Sequence, residues 1–224
     1  GFGGVLWENF KAQLNSVLIE KLVKVLWYNI DSCLKSSAEI DQMIKLNLNG
    51  DDPVFGKRYS GELSDFFDEE KLSLLRADTT ADICIVYGTG ASLANWKGKS
   101  IYVDVPKNEI QYRMRASSVK NIGCTDILAY SQIYKRLYFV EWPVLNAHKA
   151  SLLSKIDFIV DEQRIDEITW MPGTDFRKAL DFMLESPLRA RPWFEAGVWG
   201  GQWMKEHIRD LNQEEVNYAW SFEL

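Results

Sequence analysis

Histidine, cysteine and long apolar runs are scarce in this chain of 224 residues. Its two histidines, His148 and His207, lie in different parts of the chain, and neither has a second ligand at the spacing of a metal site. The three cysteines are scattered without a Cys-x-x-Cys pair, which indicates a reducing, cytoplasmic setting rather than a disulfide framework. No apolar run approaches the roughly 18 residues that cross a bilayer, and no signal-peptide pattern is visible, so we expect no membrane partner.

The sequence also lacks a complete phosphate loop of the Gly-x-x-x-x-Gly-Lys-Ser/Thr type. Gly98-Lys99-Ser100 matches the end of this motif, but Leu93 stands at the position of its first glycine. The segment leads into a predicted strand, whereas a phosphate loop leads into the helix whose N-terminus binds the phosphate. A Walker-type ATPase is therefore not predicted.

The charge balance is acidic, with a net charge of −6 and a pI near 5.1. This balance argues against nucleic acid or an anionic membrane as the main partner. The apolar content of 46% and the charged content of 26% are those of a globular protein that buries a core.

Hydrophobic periodicity predicts alternating helices and strands up to residue 161. A capping box at Ser36 and Glu39 marks one helix start, and a breaker cluster at residues 49–53 precedes a surface loop. We predict helices at 7–24, 36–46, 67–76, 106–115, 130–138 and 143–153, and strands at 22–28, 83–87, 100–105 and 155–161. This order predicts a three-layer α/β domain with a mainly parallel sheet, spanning residues 1–165.

Residues 166–188 are predicted to form a connector with a short strand before Met171 and a helix that opens at Thr174. From residue 189 the pattern changes, and residues 216–224 alternate strictly between apolar and polar, which is typical of a strand with one buried face. The chain begins without Met and ends inside this alternation. We therefore expect residues 189–224 to open a β domain and both ends to be cuts within a longer protein.

A glycine turn, Gly88-Thr89-Gly90, follows the predicted strand at 83–87. Open α/β sheets bind their ligands at the carboxyl ends of strands, so this turn is a candidate phosphate or nucleotide site. The dinucleotide pattern Gly-x-Gly-x-x-Gly is incomplete because Leu93 stands at its third glycine. A plain tight turn is the alternative interpretation.

Arg113 and Arg115 lie at the end of the helix that follows the second central strand. Arginines at a helix C-terminus commonly serve the helix dipole and solubility. If the domain holds a phosphate, these two arginines and the glycines Gly88 and Gly90 are the candidates that would bind it.

The segment around these arginines resembles the C-terminal half of P-loop nucleoside and uridine kinases. The strand that ends in Tyr-Val-Asp-Val-Pro at 102–106 is followed by a helix that ends in Arg-x-Arg. The resemblance spans about 80 residues and also includes the turn at 87–93 and the strand at 155–161. It implies a kinase-like fold whose helix leads into a phosphate-gripping lid, although the phosphate loop of that family is missing.

Residues 189–224 resemble the amino-terminal end of class I mannose-6-phosphate isomerases, which open with an aromatic strand, a Trp-Gly-Gly turn and a second strand. The residues that match are Phe194, Trp199, Gly200, Gly201 and Trp220. The match departs at 217–219, where the family has Gly-Glu before its tryptophan. The resemblance implies the first strands of a cupin domain. It also implies zinc, bound by downstream Gln/His, Glu and His ligands and not by this segment.

The first functional hypothesis is therefore the N-terminal part of a mannose-6-phosphate isomerase, with a non-catalytic kinase-like domain and the cupin domain of the same protein as its partner. The second is a nucleotide- or sugar-phosphate-binding or phosphotransferase module. The third is a regulatory scaffold that forms a homodimer through its tryptophan-rich end.

Overall fold

The computed structural model describes residues 1–50, 52, 55–185, 187, 191–193, 209–210 and 221–223. The chain divides into two compact units, Gly1–Arg177 and Lys178–Leu224. The isomerase-like positions Phe194, Trp199, Gly200, Gly201 and Trp220 lie outside the described residues.

The first unit alternates helices and strands in the order that the sequence predicts. Its helices are α1 (Trp7–Glu20), α2 (Ser37–Ile44), α3 (Glu69–Leu74), α4 (Lys107–Arg115), α5 (Tyr130–Arg136) and α6 (Trp142–Leu152). Its strands are β1 (Val25–Asn29), β2 (Ile83–Tyr87), β3 (Ile101–Asp104), β4 (Phe158–Asp161) and β5 (Thr169–Pro172). The predicted capping box of α2 is present, with Ser36 and Glu39 as its partners.

The strands pair mainly in parallel, which confirms a mixed α/β fold. β1 lies parallel to β2 with Val25 opposite Ile83, and β3 lies parallel to β4. β5 runs antiparallel to β4. Phe2 connects the two groups of strands: its N–H donates to the Val103 carbonyl of β3 at 3.0 Å, and its carbonyl accepts from Thr89, just beyond β2.

One apolar core fills the space between these strands and the helices. It is built by β-strand side chains such as Val103 and Val160 together with the inward faces of α2, α4 and α6. Among its most completely buried members are Ile30, Ile40, Ile44, Phe66, Phe67, Ile110, Met114, Ile133, Val140, Val144, Leu145 and Ile156. These residues position the loops at the strand ends.

The structure corrects the prediction of a break before Pro143. α5 continues through a π-helical turn, Leu137–Glu141, directly into α6. In a regular α-helix the Phe139 carbonyl would accept a hydrogen bond from the N–H of residue 143, but Pro143 has no N–H. The N–H of Tyr59 donates to that carbonyl at 2.7 Å instead. A hydrogen bond from a residue distant in sequence thus stabilises a continuous helix where the local sequence predicts two separate helices.

The first unit extends beyond residue 165 because β5 pairs with β4. Helix α7 (Gly173–Leu184) begins directly after β5, one residue before the expected cap Thr174, and Gly173 donates its N–H to the Asp157 carbonyl at 2.7 Å. The boundary between the units falls inside α7, after Arg177.

In the second unit, β6 (Arg191–Trp193) pairs antiparallel with β7 (Ser221–Glu223). Both fall within residues 189–224, which the sequence predicts to open a β domain, and β7 lies in the alternating stretch at 216–224. No helix in the described part of the chain combines the length and apolar character that crossing a bilayer requires.

Gly88 provides a test of this packing. Its φ is +117°, and a Cβ on this residue would lie only 2.7 Å from Ile30 Cγ2, so the site has no room for a side chain. We expect Gly88→Ala to lower the free energy of unfolding by about 2 kcal/mol or more. Gly98→Ala is the matched control, because nothing lies within 4 Å of a Cβ there, and its effect should stay within about 0.5 kcal/mol. Denaturant unfolding followed by tryptophan fluorescence measures the free energy of unfolding of both variants. Equal losses in the two variants would contradict the conclusion that the Gly88 site has no room for a side chain.

Candidate functional site

A cleft of about 900 Å³ opens at the carboxyl ends of β1 and β2. Asn29 lines it from the end of β1, Asp31 from the turn after β1, and Thr89 from the turn after β2. Further walls are the loop before α1, the segment 32–37 with Lys71, and the segment 118–125. Ligands of parallel α/β sheets bind at this end of the strands, and the volume lies within the range of small-molecule sites.

The loop before α1 is a feature that the sequence patterns above did not reveal. Gly1, Gly3 and Gly4 precede a helix that begins at Trp7, and a phosphate loop likewise places glycines directly before a helix. When the first glycine of the phosphate-loop pattern is placed on Gly1, the last three positions fall on Leu6, Trp7 and Glu8. In this register the loop has the first glycine of the pattern but not its second glycine, its lysine or its hydroxyl residue. The signal that could have revealed it is the glycine run directly before the helix.

A carboxylate of the protein itself lies at the start of α1. The Leu6 N–H donates to both oxygens of Glu162, at 3.3 and 3.4 Å. The Glu162 side chain is 1% exposed and follows β4. A helix N-terminus favours a negative charge, and here an internal carboxylate supplies it.

Arg113 holds this carboxylate in place. Its side chain is 4% exposed, and its Nη1 donates to Glu162 Oε2 at 2.6 Å. The other guanidinium contacts are to the Gly4 carbonyl, the Glu109 carboxylate and the carbonyls of Glu162 and Gln163. These contacts use the five N–H donors of the guanidinium. We therefore do not include Arg113 in the candidate site, because a phosphate could reach it only by displacing Glu162 or a carbonyl.

The other predicted phosphate ligands lie in different surroundings. Arg115 is exposed, and its guanidinium stacks over the Tyr130 ring at 5.2 Å. Gly88 and Gly90 both have positive φ and approach Ile30 and the Phe67 ring, so the turn requires them for its backbone and packing. The turn contributes Thr89 to the cleft. Phosphate binding by Gly88, Gly90, Arg113 and Arg115 stays a prediction.

Three lysines bring positive charge to the cleft: Lys35, Lys71 and Lys120. Lys35 Nζ donates to the Asp65 carbonyl at 2.8 Å and Lys71 Nζ to the Leu34 carbonyl at 3.1 Å. Lys120 Nζ donates to the carbonyl of Thr125. Within the described part of the chain, none of the three lies within ion-pair distance of a carboxylate. Each ammonium group is therefore held by a backbone carbonyl and not by an ion pair.

The acidic side chains of the cleft differ in how they are held. Glu8 accepts from the Tyr87 hydroxyl at 3.1 Å and lies 3.8 Å from Lys11. Asp31 reaches solvent in the cleft, yet desolvation by the surrounding protein raises the pKa of its carboxyl group, while a hydrogen bond with Asn29 acts to lower it. A carboxyl group of this kind, at the end of a parallel strand, is suited to accept a proton or a hydroxyl hydrogen bond.

A buried polar cluster supports the segment 118–125. Glu141 is 1% exposed, and its Oε1 accepts from Arg136 Nε and from the Ile122 N–H, both at 3.0 Å. Arg136 Nη2 donates back to the Ile122 carbonyl at 2.5 Å. Because this cluster fixes Ile122 from both sides, the neighbouring polar groups of the cleft wall are held in defined positions.

The family profile described as Domain of unknown function (DUF8485) matches residues 1–185. The chain belongs to the DUF8485 family. The matched range contains all the residues that line the cleft. Searches of curated proteins and of solved structures gave no match. The geometry of the cleft is therefore the basis for assigning a function to this DUF8485 domain.

The buried ion pair gives a stability prediction. Glu162→Leu removes the buried partner of Arg113 and leaves it only the carboxylate of Glu109, which is 24% exposed, so it should lower the free energy of unfolding by about 3–5 kcal/mol. The double variant Arg113→Met, Glu162→Leu should be more stable than Glu162→Leu alone, because no buried charge then remains unpaired.

The matched control for these variants is the exposed pair of Arg164 and Glu167, whose side chains are 74% and 68% exposed. Glu167→Leu should change the free energy of unfolding by at most about 1 kcal/mol. Urea unfolding compares the variants. A Glu162→Leu effect as small as that of the control would show that the carboxylate does not hold the loop.

Proposed function

We propose that the first unit binds a phosphate ester in the cleft at the ends of β1 and β2. The observation that carries this proposal is the set of three cleft lysines whose ammonium groups are held by backbone carbonyls. In a protein with a net charge of −6, a local group of such cations marks a site for an anion. Charge-assisted hydrogen bonds from ammonium groups to phosphate oxygens are among the stronger polar contacts in proteins.

We propose that this unit binds its ligand without transferring the phosphoryl group. Phosphoryl transfer by phosphate-loop enzymes requires the loop lysine and a hydroxyl ligand for magnesium. Trp7 and Glu8 stand at those two positions. Glu162 also brings a negative charge to the start of α1, where a transferred phosphate would lie. The glycine loop, the helix after it and the parallel strands support descent from a kinase-like fold that lost this chemistry.

Substitution of the lysines tests the proposal. Isothermal titration with mannose 6-phosphate and with AMP should detect binding to the wild-type chain. Lys71→Gln and Lys120→Gln should each weaken it about tenfold, the effect of losing one charge-assisted hydrogen bond. Lys97→Gln is the control, since Lys97 is exposed and lies outside the cleft lining. The proposal fails if neither ligand binds, or if the Lys97 variant weakens binding as much as the cleft variants.

A second proposal rests on the resemblance of residues 189–224 to mannose-6-phosphate isomerases. We propose that the DUF8485 domain accompanies a zinc-dependent cupin isomerase that interconverts mannose 6-phosphate and fructose 6-phosphate. In such an enzyme zinc polarises the sugar carbonyl during proton transfer. The specific support is the sequence Trp199-Gly200-Gly201 followed by Trp220.

This second proposal predicts that residues 1–224 alone have no isomerase activity. The sequence lacks the Val-His-Pro element that carries two of the family's zinc ligands. A coupled assay for fructose 6-phosphate, run with and without added zinc, measures the activity. Zinc-dependent turnover by residues 1–224 would contradict the assignment of these residues to a non-catalytic part.

A further inference from the structure

The described strands of the first unit form two separate sheets, β1 with β2 and β3 with β4 and β5. Phe2 contacts both sheets, because its N–H donates to the Val103 carbonyl of β3 and its carbonyl accepts from Thr89, just beyond β2. Both contacts lie at the carboxyl ends of the strands, so β2 and β3 end side by side with the backbone of Phe2 between them. Neighbouring strands lie about 4.8 Å apart, so the two sheets are separated by a gap about one strand wide.

The edge of β3 that borders this gap carries backbone groups without a strand partner. The Asp104 carbonyl accepts from the Glu162 N–H and therefore points toward β4. Successive residues of a strand direct their N–H and C=O groups to opposite sides, so Ile101 and Val103 direct theirs away from β4. Phe2 binds the Val103 carbonyl at this edge. Among the described strands β3 pairs only with β4, which leaves both backbone groups of Ile101 without a strand partner.

The edge of β2 that borders the gap has the same property. The Ile83 N–H donates to the Lys24 carbonyl, on the side of β1. By the same alternation, Cys84 and Val86 direct their backbone groups away from β1. Within the described part of the chain, β2 has no strand neighbour other than β1. The gap is therefore bordered on both sides by backbone groups that could pair with one more strand.

The surroundings of the gap favour an apolar and uncharged occupant. Ile83 and Ile101, at the amino ends of the bordering strands, are 39% and 49% exposed, whereas strands inside a parallel sheet are normally covered on both faces. At the carboxyl end of the gap, desolvation lowers the pKa of the Gly1 amino group to about 5, although Asp104 acts to raise it. A neutral peptide N–H would avoid this cost of desolvating an ammonium group.

We propose that the gap accepts one more strand, an apolar segment of the same polypeptide that joins Gly1 and runs parallel to β2 and β3. It would unite the two sheets in the order β1, β2, added strand, β3, β4, β5. The bond from Phe2 to Val103 fixes the register. The residue directly before Gly1 would donate to the Ile101 carbonyl, and the third residue before Gly1 would accept from the Ile101 N–H. This strand site does not depend on the proposed phosphate binding.

Two extensions of the 224-residue chain at Gly1 test the proposal. The first, Lys-Val-Ile-Val-Val-Ile, consists mainly of β-branched residues that favour strands. The matched control, Lys-Val-Ile-Pro-Val-Pro, has proline at the two positions that would donate to β3. Relative to this control, the first extension should raise the Tm by about 4 °C or more. It should also slow hydrogen exchange of the Ile101 amide at least about tenfold, because that N–H gains a partner.

Equal Tm values and equal Ile101 exchange in the two extended chains would overturn the proposal. Strong protection of the Ile101 amide in the chain without an extension would also overturn it, because the edge of β3 would then already be occupied. The source of the strand is tested by adding the first extension as a free peptide, acetylated and amidated, in excess. If the free peptide slows Ile101 exchange as much as the joined one, a separate chain fills the gap and the assignment to the same polypeptide is wrong.

Discussion

The buried pair of Arg113 and Glu162 joins three parts of the first unit that are distant in sequence. Arg113 belongs to α4, Glu162 follows β4, and between them they bind the Gly4 carbonyl and the Leu6 N–H of the N-terminal loop. Charges this deeply buried are tolerated only when nearly every polar atom has a partner, and removal of one partner is strongly destabilising. The position of the loop, and hence one wall of the cleft, depends on this pair.

The same pair also occupies the helix end at which a phosphate loop would bind its anion. A glycine loop before a helix normally presents its N–H groups to a phosphate. Here the Glu162 carboxylate already lies at that helix end, so the favourable dipole interaction is made within the protein. The anion site that we propose therefore uses the cleft lysines and not this helix end.

Much of the fold could be predicted from the sequence because it depends on local periodicity. The strand at Ile83–Tyr87 agrees residue for residue, and the order of helices and strands up to β4 is correct. The continuous helix through Pro143 could not be predicted, because Tyr59 supplies the donor for the freed carbonyl from far along the chain. The burial of Arg113 could not be predicted for the same reason, because its partner Glu162 is distant in sequence. In addition, an Arg-x-Arg at a helix end has the composition of a solvated surface.

The candidate site was less accessible to sequence reasoning, since its most informative property is the kind of partner each lysine has. In Lys149 and Lys99 the ammonium group is paired with Asp104 and Asp157, which neutralise its charge. The three cleft lysines instead donate to neutral carbonyls, which orient the ammonium group without an ion pair. An oriented cation loses less entropy when it binds an anion than a free side chain does. No one-dimensional pattern separates these two kinds of lysine, because the difference is whether the folded chain places a carboxylate or a carbonyl beside the ammonium group.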